Sequence, residues 1–127
     1  MLIPRRALAR RAAGGIRAVG RNSLPSSEYA ELKRRIFERA GYRCECCRVH
    51  VATELEHALP AGRGGEDSEN NCWAVCRAIC HPKKTAPFAN GRLVVVPLGD
   101  GKFRWEEWKG PTKWQATLIR IIRDSSL

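Results

Sequence analysis

No acidic residue precedes Glu28, and the chain has no apolar run near the ~18–20 residues that a bilayer-crossing helix requires. The second absence argues against a helical membrane protein. The first leaves Arg5, Arg6, Arg10, Arg11, Arg17 and Arg21 unopposed among Ala, Gly, Ile and Leu. Residues 1–27 therefore read as a basic arm that is flexible or tracks phosphates, with an Arg-rich transit peptide as a third reading. Gly14, Gly15, Gly20 and Pro25 discourage a helix over its whole length. A secretory leader is not expected: Met1–Pro4 is too short for an apolar region, and Arg5, Arg6, Arg10 and Arg11 break up the residues beyond it. Internal repeats are lacking, as is any helix or motif suited to reading base edges.

What the chain does have is positive charge, formally +10 over 127 residues, which favours a polyanionic partner, most commonly nucleic acid. Residues 28–127 suffice for one α+β domain whose modest core would benefit from an added staple. An N-terminal helix is expected to run from a Ser27 cap to about Ala40, with Gly41 as its stop. Tyr29, Leu32, Ile36, Phe37 and Ala40 share its apolar face, and Lys33, Arg34 and Arg35 make the polar face basic. Arg92–Leu98 and Lys102–Trp108 read as strands joined at Gly99-Asp100-Gly101, a C-terminal β-hairpin. Thr112-Lys113-Trp114-Gln115 has the form of a capping box, with Trp114, Leu118, Ile121 and Ile122 as the stripe of a C-terminal helix. Trp105, Trp108 and Trp114 read as packing residues rather than base-stacking platforms.

All 6 cysteines lie between Cys44 and Cys80 in tight clusters, which favours a metal site in a reducing compartment over a disulfide framework. Cys44 and Cys47 form a Cys-x2-Cys pair, and Cys76 and Cys80 a Cys-x3-Cys pair. Two such pairs on tight turns can close a tetrahedron of thiolates around a structural Zn²⁺. Cys46 and Cys72 are left over and read as small buried hydrophobes. His50 is a less favoured substitute ligand.

Inside the cysteine bracket lie Glu54-Leu55-Glu56-His57-Ala58-Leu59-Pro60, then Gly62-Arg63-Gly64-Gly65 and Asp67-Ser68-Glu69-Asn70-Asn71. Cys80-His81-Pro82-Lys83-Lys84-Thr85 ends the segment. With an acidic-His pair, a Gly-Gly loop, an Asn and then Cys-His followed by Lys, residues 40–85 resemble the HNH nuclease family. The resemblance implies a ββα-metal core in which two antiparallel strands and a helix surround one divalent ion. It makes the chain a metal-dependent endonuclease that hydrolyses DNA, acting in the cytoplasm of a bacterial or phage-infected cell.

In that reading His57 is the general base, since an imidazole titrates near neutrality and can take a proton from water. Glu56 and His81 hold Mg²⁺ or Mn²⁺, with Ni²⁺ also suited to an imidazole ligand. Asn71 holds the loop and orients His57. Arg63, Arg77, Lys83 and Lys84 contact the phosphates of double-stranded DNA, with weak sequence preference and steep salt dependence. The sequence departs from the family at Ile79, an extra residue before Cys80-His81. Either a wider turn absorbs it, or it rotates His81 off the metal and leaves a non-catalytic zinc-ribbon DNA-binding or adaptor protein. Oligomeric state is not readable.

Overall fold

A computed structural model describes residues 23–127, so the expected basic arm lies, through residue 22, outside the described residues. The chain runs α1 (Ser26–Arg39), β1 (Glu54–His57), β2 (Cys72–Val75), α2 (Cys80–Lys84), β3 (Arg92–Gly99), β4 (Lys102–Lys109) and β5 (Thr117–Asp124). It is a small mixed α+β domain with two sheets, β1-β2 and β3-β4-β5, each antiparallel throughout.

The spacing of Leu32, Ile36 and Ala40 makes one buried stripe on α1, with Phe37 packed beside it. Ser27 is not its cap. The helix begins at Ser26 behind Pro25, with no side-chain cap bond. Gly41 ends it in the left-handed region, φ 65°, where a residue without a Cβ suffers no steric penalty.

The two-stranded sheet lies between two apolar clusters. On one face Cys72 and Ala74 meet Leu32, Ile36, Ala40 and Ala52, with Leu55 packed against them. On the other, Trp73 and Val75 meet Cys44, Cys46, Cys76 and Cys80, and then Leu93, Val95, Phe103 and Trp105 of the larger sheet. Strand β2 is buried on both faces, which accounts for its unbroken apolar run, Cys72-Trp73-Ala74-Val75. The expected hairpin is present, and it turns through Gly99, Asp100 and Gly101 at φ 90°, 55° and 72°.

The expected C-terminal helix is absent. Thr112 does accept a hydrogen bond from the Gln115 amide, but the turn it caps is a single 3₁₀ turn, Lys113–Gln115. Ala116 is already extended, and Thr117–Asp124 pairs with β4. Thr117, Ile119, Ile121 and Ile122 are β-branched, which favours strand over helix when an apolar pattern fits both. Of the expected helical stripe, Ile122 packs on the core, whereas Trp114, Leu118 and Ile121 are exposed.

Candidate functional site

The isolated bridge between Arg43 and Val51 closes the loop that carries the first cysteine pair. Within it Cys44 N–H donates to His50 O, Arg48 N–H to Cys44 O, and Val49 N–H to Cys47 Sγ. The second pair sits where β2 passes into α2, and Cys80 N–H donates to Cys76 Sγ at 3.4 Å. The sulfurs of Cys44, Cys47, Cys76 and Cys80 all lie within 4.8 Å of one another, and no disulfide joins them. Cys47 Sγ stands 3.9 Å from Cys76 Sγ. The edge of a ZnS₄ tetrahedron with Zn–S of about 2.3 Å is about 3.8 Å, so the donor set fits a metal ion such as zinc.

The hydrogen bond that the Cys44 thiol donates to Cys80, together with burial, pushes Cys44 up to about 12. Burial also raises Cys76. Buried sulfur held neutral in this way becomes a ligand only when a cation compensates its charge, which is how metal binding couples to the fold. Cys46 and Cys72 are buried outside this quartet, and His50 is not part of it.

Ile79 lies in the turn between Cys76 and α2. It stands exposed ahead of α2 at φ −132° and ψ −52°, and His81 N–H reaches back to Cys76 O at 3.0 Å. His81 Nε2 then lies 3.2 Å from Glu54 Oε1 and 3.4 Å from Glu56 Oε2. Glu54 and Glu56, two apart on a strand, share a face. The acidic-His motif assigns no role to Glu54, although this alternation places it beside Glu56. Arg77 donates to Glu54 at 2.8 Å and, with the nearby His81 and Lys33, holds its carboxyl below the usual range.

His57 lies apart from this cluster. Its strand neighbour across the sheet is Cys72, and its Nε2 is 2.7 Å from Asp67 Oδ1. Asp67 is buried and also accepts from Leu24 N–H at 3.0 Å. His57, Asp67 and Cys72 belong to the α1 side of the hairpin, whereas Glu54, Glu56 and His81 belong to the cysteine side. Sequence alone does not single out Asp67, because its ten-residue separation from His57 gives no periodic cue.

Asn71 fastens the intervening loop. Its Oδ1 accepts from Leu59 N–H, and its Nδ2 donates to Leu59 O and Glu66 O. Gly65 packs so tightly under this loop that a Cβ there would stand 1.8 Å from Leu59 O.

Arg77, Lys83 and Lys84 flank the His81 cluster, Arg77 through its bond to Glu54, the lysines as the last residues of α2. Burial lowers the Lys84 pKa, and Glu56 draws it back up. Arg63 stands exposed on the 3₁₀ turn Ala61–Arg63. No helix among the described residues is long and apolar enough to cross a membrane. Comparison with protein-family models, curated proteins and solved structures returns no match for this chain.

Proposed function

We propose that the chain is a zinc-stapled, metal-dependent endonuclease of the HNH type, hydrolysing phosphodiester bonds of DNA. In this reading β1, β2 and α2 form the ββα-metal unit, with Cys44, Cys47, Cys76 and Cys80 holding the structural zinc. The observation that carries it is His81 Nε2 beside both Glu54 and Glu56, despite the extra Ile79. Glu56 and His81, 3.4 Å apart, would hold Mg²⁺, Mn²⁺ or Ni²⁺. Such an ion supplies charge neutralisation at the phosphate and at the leaving oxygen.

The remaining work falls to side chains of the chain itself. His57, donating from Nε2 to Asp67, keeps Nδ1 as the acceptor for a proton from water. Asn71 holds the loop from Leu59 to Glu66, and thereby the approach of Asp67. Arg63, Arg77, Lys83 and Lys84 neutralise phosphates of double-stranded DNA without reading its sequence.

The placement of His57 on the α1 side, away from Glu56, favours a second reading: a non-catalytic zinc-ribbon DNA-binding or adaptor protein. Plasmid cleavage decides between them. Purified protein meets supercoiled DNA with Mg²⁺, Mn²⁺, Ni²⁺ or EDTA, beside His57→Ala and His81→Ala. The endonuclease gives metal-dependent nicking that falls about 10²–10⁴-fold in His57→Ala, the usual contribution of a general base. An adaptor binds the plasmid but does not cut it, whichever metal is supplied. Cutting at the parental rate by His57→Ala removes His57 as the base.

A further inference from the structure

A cleft of about 190 Å³ opens beside the candidate site, lined by Ala58, Lys84, Phe88, Arg92, Val94 and Lys113 among others. Its lining holds three cations and no carboxylate. Lys84 ends the helix that carries His81 and lies within electrostatic reach of Glu56, so the cleft adjoins the Glu56 and His81 side of the proposed centre. Arg92 is fixed in it, with Nε donating to Lys84 O at 3.1 Å and the guanidinium 5.0 Å over the Phe88 ring. Lys113 at its edge sits on the 3₁₀ turn that Thr112 caps.

The next residue on that turn is Trp114, which is 85% exposed. A tryptophan exposed to that degree on a capped turn stabilises nothing in the core, and Trp73 and Trp105 fill that role instead. Lys113 Nζ lies 5.0 Å from the centroid of its ring, which joins cation and aromatic face into one surface. Fixed cations for phosphates beside an aromatic plane are the two components from which sequence-tolerant binding of unpaired strands is built.

We propose that Lys84, Arg92, Lys113 and Trp114 form a binding site for an unpaired DNA strand, with phosphates in the cleft and one base stacked on the Trp114 indole. The site rests on the endonuclease reading only for its partner, DNA. It extends that reading by favouring substrates with a frayed, nicked or single-stranded segment next to the cut. The C-terminal segment thereby becomes part of the binding surface.

The test is fluorescence anisotropy with the zinc-loaded full chain and a labelled 12-nucleotide oligo-dT, compared with a 12-base-pair duplex. Trp114→Ala weakens the single strand by roughly 10-fold, the effect of losing one stacked base, and the duplex by less than about 2-fold. Trp114→Phe, which keeps an aromatic plane, restores most of the single-strand affinity. Lys113→Ala lowers the salt slope of single-strand binding by about 0.7, the loss of one phosphate contact. A wild-type protein that binds the single strand while Trp114→Ala and Lys113→Ala bind it equally well overturns the site and leaves the endonuclease reading standing. A wild-type protein that binds neither oligonucleotide nor plasmid overturns both.

Discussion

Four consecutive residues, Glu54–His57, present two unlike faces. Glu54 and Glu56 look toward His81 and, through Glu54, Arg77, a cluster of charges that water still reaches. Leu55 and His57 look toward α1, among packing in which Cys72 and Asp67 are buried. The first face contributes little to stability, because ion pairs with solvent access are worth about 0–1 kcal/mol. Its composition is therefore free to serve binding and chemistry. The second face is bound into the fold, and any change there disturbs helix packing as well as the imidazole. The comparison teaches that adjacency in a motif is not adjacency in space: a strand's period of two separates Glu56 from His57.

The cysteine quartet tests how far the two faces stand or fall together, and it should give the largest effect. Structural zinc contributes about 10–16 kcal/mol of apparent binding energy in small zinc-dependent domains, on the scale of a whole domain's stability. Chelation, or Cys76→Ser, is expected to abolish the cooperative melt followed by circular dichroism, and elemental analysis of the parent should give one zinc per chain. Cys72→Ser places a hydroxyl on the other face and should cost only about 1–3 kcal/mol. If both changes cost alike, the staple does not belong to one side.

Gly65 comes next in size. Its Cβ-less backbone lies against Leu59 O and Pro60 O, and it donates to Pro60 O at 3.0 Å. Gly65→Ala must push that loop outward and, with it, Asp67 away from His57, at about 3 kcal/mol by urea unfolding. Gly62, on the same loop but with open space where a Cβ would stand, serves as the control. Gly62→Ala should change stability by no more than about 0.5 kcal/mol.

The elements legible in the sequence are those that local physics decides. Helix α1 is readable because its stripe and its terminating Gly41 are set by neighbours in the chain, and the β3-β4 hairpin because Gly99-Asp100-Gly101 satisfies three positive φ angles in a row. The cysteine quartet is readable because tight pairs on turns fix where their sulfurs can go. Strand β5 is not, since the Thr112 cap is real but one turn long, and pairing with β4 decides the rest. Trp114 is misread with it, for a helix would have turned the indole inward. Asp67 and Glu54 escape a sequence reading for opposite reasons. Asp67 reaches His57 only through the loop that Asn71 fastens, while Glu54 follows from alternation alone and is masked by the Glu56-His57 pair.

A smaller effect on stability than that of Gly65→Ala, and the sharpest on the comparison, belongs to Asp67→Asn. Asp67 accepts from His57 Nε2 through one oxygen and from Leu24 N–H through the other. An amide offers one oxygen only. If that oxygen keeps Leu24, the new NH₂ faces His57, and the imidazole satisfies it by moving its proton from Nε2 to Nδ1. The cost should be about 1.5 kcal/mol by urea unfolding, the scale of a hydrogen bond to a charged group. The tautomer change should appear in the ¹⁵N shifts of the His57 ring. Because Nδ1 then carries the proton, it can no longer accept one from water, and DNA cleavage should fall as far as it does in His57→Ala. Cleavage unchanged beside an altered tautomer would leave His57 a structural residue of the α1 face and move water activation to the side of Glu54, Glu56 and His81.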